Sequence, residues 1–286
     1  MTALRYRLAD RLVFSKIRQR FGGRLRFFIS GGAPLDKTIN EFLWIIGIPT
    51  FEGYGLTETS PAVTLNSPQF TRFGSVGKTL EFTEVRLEED GELLVRGPQV
   101  MQGYYRDADA TAATIEKGWL RTGDIARIDD DGYVFIIDRK KELIVTAGGK
   151  NIAPQPLENE LKLDKFISQA FVFGDRKAYL VALVTANIER LIEYAQTEKI
   201  DYIDLDDLAS SEKVHKLFAE RIGLINQKLA PYETIKKFVV LAREFTVEGG
   251  ELTPTLKLRR KVIYEKYKDK IERLYLDGSQ TPKGAK

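Results

Sequence analysis

An α/β layer followed by an α+β unit is the fold class that the sequence predicts, and three observations carry the reading. A short, mostly apolar run at 25–30 leads into the small-residue loop Gly31-Gly32-Ala33-Pro34-Leu35 and then into helical spacing. Strand, small loop and helix make half of a βαβ unit, whose ligands sit at the strand's carboxyl end. Alternating runs flank Asp90-Gly91 and Asp131-Gly132, which marks antiparallel hairpins. Beyond Gly149, strands and amphipathic helices alternate over about 150 residues, a length that folds alone. The expected division is 1–138 and 139–286, with a hinge near Asp138 inside a charged, strand-free Asp138-Arg139-Lys140-Lys141.

Each element follows from its local pattern. Residues 3–20 have helical spacing, with Leu4, Leu8, Leu12 and Ile17 on one face, and Gly22-Gly23 ends them. Asp36 suits an N-cap, and Phe42, Leu43 and Ile46 form the expected buried side of the helix after it. Residues 48–51 read as a strand, 66–77 as a polar loop, 84–87 with 92–96 as a hairpin, and 107–116 as a short helix. Residues 125–128 and 133–137 form the second hairpin, and 143–146 a further strand before Gly148-Gly149. Pro154 and Pro156 open a helix, since a proline in the first turn loses no hydrogen bond. Strands at 167–173, 179–185 and 235–241 and helices at 188–199, 207–229 and 261–275 complete the chain.

Composition removes several classes of function. Lys plus Arg (44) nearly balance Asp plus Glu (41), and 43% of residues are hydrophobic, so the chain reads as a soluble globular protein with ample core. A net charge of +3 with interleaved acids gives a nucleic-acid partner no footing. The absence of cysteine excludes disulfides, thiolate nucleophiles and cysteine-zinc sites. His215, the one histidine, stands in a charged helical context and reads as structural. No run reaches the roughly 18 apolar residues of a membrane span, and the first residues lack a signal peptide's apolar stretch. The expected location is cytoplasmic.

Polar residues crowd a few places. In Glu52-Gly53-Tyr54-Gly55-Leu56-Thr57-Glu58, glycines on both sides of Tyr54 let the backbone bend and leave the ring a face on which an adenine can stack. The Thr57 hydroxyl can donate to a phosphate oxygen, and Glu58 is a hard oxygen ligand suited to Mg2+. The same residues also suit a turn around a packed tyrosine. Asp124 follows Gly123, which lets backbone approach a ligand, and an ionised carboxylate can accept both hydroxyls of a ribose. Thr122 is a nearby polar contact. Lys257 lies in Glu251-Leu252-Thr253-Pro254-Thr255-Leu256-Lys257, before a basic stretch that by itself reads as solvated.

Four blocks together carry a resemblance: GGAPL, GYGLTETSP, GWLRTGD with DRKKELIVTAGGKNIAP, and LTPTLK. In order and spacing the chain resembles the AMP-forming long-chain fatty-acid:CoA ligases of the acyl-adenylate-forming superfamily. The resemblance covers essentially the whole chain but only the C-terminal half or less of a complete enzyme. It implies the end of the large adenylating domain over 1–138 and a C-terminal lid domain over 139–286. By resemblance, Gly32, Ala33 and Pro34 and Glu52 to Gly55 belong to the nucleotide and acyl site, with Glu58 on Mg2+. Asp124 is implied to hold the AMP ribose, with Arg139 adding a contact from the other domain. Lys257 aligns with the family's catalytic lysine, with Leu256 where many relatives have glycine. Gly148-Gly149 is implied to admit the pantetheine arm of CoA after the lid rotates, or else is simply a turn. ATP, Mg2+, CoA and a fatty acid are the implied cofactors and substrates, with loose peripheral contact to the inner membrane face. The family's phosphate loop, ending in Pro-Lys-Gly, belongs upstream of GGAPL and is not in this chain, so the expectation is a fragment inactive on its own. Two alternatives stay open: a non-catalytic nucleotide-binding module, and a ligase for another carboxylic acid.

Overall fold

The computed structural model describes residues 3–276. It forms two compact units, one running through Lys141 and one beginning at Glu142.

In the first unit, α1 (Ala3–Ala9) and α2 (Ser15–Arg20) are joined by a π-helical turn, Asp10–Phe14, so the expected helix at 3–20 is continuous. None of its residues is buried, and Leu4, Leu8 and Leu12 all face solvent. Polar contacts tether it instead: Arg18 donates to Asp10 and to the Ile46 carbonyl, both at 2.7 Å, and the Tyr6 hydroxyl donates to the Ile45 carbonyl at 3.0 Å. Strand β1 (Phe28–Ser30) leads through the GGAPL loop to α3 (Lys37–Ile45), where the Asp36 side chain accepts from the Ile39 N–H at 3.0 Å. The buried side of α3 differs from expectation at Phe42, which is exposed, while Ile46 is buried as expected and Asn40 is buried with it. The inward residues pack on β2 (Thr50–Tyr54), which runs parallel to β1 with Ser30 opposite Glu52. The loops after β1 and β2 therefore leave from one edge of the sheet. Strands β3 (Thr64–Leu65) and β4 (Lys78–Thr79) extend it in the order β1-β2-β3-β4.

A second sheet follows. Strands β5 (Glu84–Leu87) and β6 (Glu92–Arg96) form the expected hairpin. Helix α4 (Ala108–Thr114) stops short of Glu116 because β7 (Ile115–Glu116) pairs with the start of β8 (Trp119–Ile128). Strand β9 (Val134–Arg139) pairs with β8, and Val63, Leu93, Val95, Ala126 and Val134 fill the core beneath. The turn between them is longer than a two-residue Asp-Gly loop, because the Asp129 carboxylate accepts from the N–H groups of Asp131 and Tyr133 at 3.1 and 2.9 Å. The strand-free reading of Asp138 to Lys141 is corrected here. Asp138 and Arg139 are ladder residues of β9, opposite Ile125 and Asp124, and only Lys140–Glu142 forms a 3-10 turn.

The second unit is built on a three-stranded sheet. After the short hairpin β10 (Ile144–Val145) and β11 (Asn151–Ile152) come α5 (Pro154–Lys162), β12 (Ile167–Phe173) and β13 (Leu180–Ala186). Then follow α6 (Ile188–Glu198), α7 (Leu205–Ser210), α8 (Glu212–Asn226), β14 (Ile235–Leu241) and α9 (Arg260–Arg273). The single helix expected at 207–229 is two, because Ser211 adopts extended backbone and caps α8 through the Val214 N–H. Strand β13 is central, antiparallel to β12 and parallel to β14, and every residue in it is buried. Its Ala182 and Val184 pack with Leu157, Leu191 and Phe218 of α5, α6 and α8, while Val181 and Leu183 pack with Ile263 and Ile271 of α9. Cover on both faces explains why its sequence is an unbroken apolar run. Among the described residues, no helix is long and apolar enough to cross a membrane.

Candidate functional site

Residues 122–124 of β8 bulge away from the neighbouring strand β6. Glu92 stands opposite Ile125 and Leu94 opposite Arg121, so β8 takes four steps where β6 takes two. Thr122, Gly123 and Asp124 thus face Leu93 alone and arch away from β6, while Asp124 stays paired with Arg139 of β9, and Gly123 reaches φ +68°, which a side chain would strain. The arch is held by its own polar groups. The Thr122 hydroxyl donates to the Leu93 carbonyl at 2.7 Å and accepts from the Asp124 N–H at 3.1 Å. The Gly123 N–H donates to Glu92 Oε1 at 3.1 Å. Thr122 is thus engaged in shaping the bulge.

The bulge aims Asp124, which is 5% exposed, at two partners. The Tyr54 hydroxyl, at the end of β2, donates to Oδ2 at 2.5 Å, and Arg139 Nε on β9 donates to Oδ1 at 2.9 Å. Burial first, and the Asp124 charge second, push the Tyr54 phenol far above its ordinary value, so it stays a donor. Arg139 belongs to the first unit, opposite Asp124 in the ladder; the expectation that it approaches from another domain is corrected. A carboxylate, a phenol and a guanidinium joined at one point form a polar socket able to exchange hydrogen bonds with the hydroxyls of a small ligand.

The loop after β2 lies next to this socket. Gly55 is obligatory, because a Cβ there would come within 1.7 Å of the Pro61 carbonyl oxygen. Thr57–Thr59 forms a 3-10 turn with Thr57 exposed and Glu58 half-buried. Glu58 Oε1 accepts from the Tyr104 hydroxyl at 2.9 Å, which pushes the Tyr104 phenol up. Leu56, Glu58, Tyr104, Thr122, Gly123 and Arg139 line one cavity of 520 Å3, with Glu92, Arg121, Lys140 and Lys141 along its wall. A magnesium ion fits this donor set. Mg2+ takes one or two carboxylates and completes its shell with substrate phosphates and water, and Glu58 is one such carboxylate. Among the described residues no group of three or more His, Cys, Asp or Glu forms a protein-only cage.

Glu52 and the GGAPL loop make a buried strut. Glu52 Oε1 accepts from the Leu35 N–H at 3.2 Å and Oε2 from Asn40 Nδ2 at 3.3 Å, which ties Gly32, Ala33 and Pro34 to β2. Gly53, beside it, pairs with Leu65 in the ladder. The second unit carries the remaining expected residues. Gly148 and Gly149 form the turn of the β10–β11 hairpin, where the Gly149 N–H donates to the Thr146 carbonyl at 2.9 Å. Lys257 is exposed on a tight loop closed by its own N–H to Thr253 Oγ1 at 3.0 Å, and Leu256 before it has φ +60°.

Three residues of the socket's surroundings escape a reading of the sequence. Glu92 has a faint signal, a carboxylate leading the buried run Leu93-Leu94-Val95. Tyr104 and Lys140 have none, since their partners lie far off in sequence: Glu58 for the tyrosine, Asp90 and Glu92 for the lysine at 2.6 and 2.8 Å.

A parallel strand pair whose following loops leave from one end, a buried aspartate aimed by a bulge, and a separate three-stranded α+β unit define a two-unit α/β and α+β protein with a polar socket in its first unit. Comparison with known families agrees. The AMP-binding enzyme model matches residues 2–105, and the AMP-binding enzyme C-terminal domain model matches residues 141–279. The chain belongs to the AMP-binding enzyme family. It is 42% identical over 267 residues to the long-chain-fatty-acid–CoA ligase FadD15 of Mycobacterium bovis, covering 93% of this chain and 44% of that one. It is 34% identical over 301 residues to the long-chain-fatty-acid–CoA ligase ACSBG2 of Gallus gallus, covering 96% of this chain and 39% of that one. The chain thus spans less than half the length of these curated relatives. Among solved structures, the adenylation domain of a carboxylate reductase from Mycobacterium chelonae aligns with TM-score 0.75 at 25% identity, over 95% of this chain and 42% of that one. An o-succinylbenzoate coenzyme A synthetase from Bacillus subtilis, in complex with ATP and magnesium ion, aligns with TM-score 0.63 at 28% identity, over 82% and 46%.

Proposed function

We propose that the chain holds the AMP portion of an acyl-adenylate and serves a fatty-acid:CoA ligase of the long-chain type. The observation that carries this is the Asp124 socket: a buried carboxylate, presented by a bulge, between the Tyr54 hydroxyl and the Arg139 guanidinium. The ribose hydroxyls donate to Asp124, the adenine lies against the Tyr54 ring, and Thr57 donates to the α-phosphate. Mg2+, bound through Glu58, supplies neutralising charge to the phosphates.

The reaction has two stages. A carboxylate oxygen of the fatty acid bonds to the α-phosphorus of ATP, and the bond to pyrophosphate breaks. The thiol of CoA then attacks the acyl carbonyl, loses its proton, and expels AMP. In the first stage negative charge gathers around phosphorus, and the Lys257 ammonium is the proposed cation that stabilises it. In the second, the narrow Gly148-Gly149 turn gives room to the pantetheine arm. The exchange requires a lid rotation about a hinge just past β9, in the 3-10 turn Lys140–Glu142. The long-chain preference rests on the relatives' names and on the shared motifs. A cytoplasmic location with loose membrane contact belongs to the same proposal.

Calorimetric titration with AMP tests the reading. Asp124→Asn keeps the shape and removes the charge, so it loses charge-assisted bonds of about 1.5–3 kcal/mol, roughly a 10- to 150-fold weaker Kd. An unchanged Kd in this variant would remove Asp124 from the ribose and the proposal with it.

A further inference from the structure

We infer that Glu92 is a positioning residue that sets the aim of the Asp124–Arg139 pair on the ribose. The inference rests on the nucleotide reading above and extends it to a residue that holds the bulge behind Asp124. Glu92 is 4% exposed, yet its carboxylate receives three donors. Oε1 accepts the Gly123 N–H, the bond that the bulge cannot obtain from the ladder. Oε2 accepts Lys140 Nζ at 2.8 Å and Arg121 Nη1 at 3.4 Å.

These donors bracket the socket from both ends. Gly123 is the residue before Asp124, and Lys140 is the residue after Arg139. One buried carboxylate therefore fixes the peptide that presents the acid and the side chain beside the base, and Asp90 shares the lysine at 2.6 Å. Without Glu92, the Gly123 N–H is left unpaired within a strained arch and Lys140 loses its inner anchor. Asp124 then remains charged and present but loses its fixed direction, and hydrogen bonds weaken steeply with misalignment.

The test compares AMP with 2′,3′-dideoxyadenosine monophosphate, which differ only in the two sugar hydroxyls. The wild-type chain prefers AMP. In Glu92→Ala that preference falls roughly tenfold, the equivalent of one well-aligned bond, while affinity for the dideoxy nucleotide changes less than about twofold. Glu92→Gln, which keeps an acceptor for Gly123, recovers part of the preference. If Glu92→Ala fails to fold, Lys140→Ala removes one anchor from the solvent side and carries the same comparison. Equal weakening of both nucleotides in every variant that folds, or an undiminished preference, overturns the role of Glu92. A wild-type chain that binds both nucleotides alike, or neither, overturns the ribose reading first, and the Glu92 role with it.

Discussion

Glu52 and Asn40 show how a single pair departs from its chemical label. The carboxylate stands on β2, just before the loop that resembles a ligand site, yet it points inward, and among the described residues the Asn40 carbonyl oxygen beside it has no partner. Burial pushes the Glu52 carboxyl up, more than the Leu35 and Asn40 donors pull it down, and the nearby Asp36 charge adds to the rise. A carboxyl raised in the folded state holds its proton there longer than in the unfolded chain. Its stabilising contribution is full below the ordinary value of 4.5 and is lost as pH rises through the raised value. Glu52→Gln stays neutral and can donate to the Asn40 oxygen once the asparagine amide turns. The variant should match the wild type in acid and exceed it in Tm above that window, in melts run from about pH 4 to about pH 8. Parallel curves across the range would show that Glu52 is not the group responsible. At this scale the sequence discloses chemical types and little about aim. Asp124, Tyr54 and Glu58 are visible as types, but the Tyr54–Asp124 bond joins residues 70 positions apart, and no local pattern encodes it.

At the scale of elements, periodicity reads well wherever one interaction dominates. Strands β12, β13 and β14 and helices α5 and α6 lie close to where apolar spacing puts them, because the strands pack cores on both faces and the helices bury one apolar side. It reads poorly where side chains override it. The first half of β8 is hidden by Thr122-Gly123-Asp124, which looks like a loop and is a bulge within a strand. The long helix expected at 207–229 is cut by the hydroxyl of Ser211. Helix α9 depends on a feature of the same kind. Arg260, its first residue, donates to Glu158 of α5 at 2.6 Å and to the Val172 carbonyl of β12 at 2.5 Å, in a nearly buried pair. The Lys257 loop before it is closed by the Arg259 N–H, which donates to the Glu251 carbonyl at 2.7 Å, and the Glu251 side chain, fully buried, is bonded to Arg243 and Lys266. Arg260→Ala removes a charge-assisted donor from a buried carboxylate that keeps the Val172 N–H, so unfolding by urea should cost about 1.5–3 kcal/mol less. A loss below about 1 kcal/mol would mean that the pair adds little.

For the whole molecule, the second unit alternates strand and helix on its own core. The condition of the first helix is not legible in the sequence. Its spacing promises a buried stripe, whereas Leu4, Leu8 and Leu12 face water, with Ile29 of β1 and Phe42 of α3 exposed on the same unit. Spacing reports which face is apolar and not whether anything covers it. Exposed apolar groups of this extent attract environment-sensitive dyes. Leu8→Glu with Leu12→Lys should lower dye fluorescence several-fold while moving Tm by less than about 2 °C. A large drop in Tm would show that these leucines are packed.

The socket itself has a consequence for timing. Asp124 is already satisfied by Tyr54 and Arg139, so in the proposed role a sugar is captured by a trade of partners, and its departure reverses that trade without stranding a buried charge. A holder balanced in this way suits the proposed role, in which a spent nucleotide has to clear the way for the next.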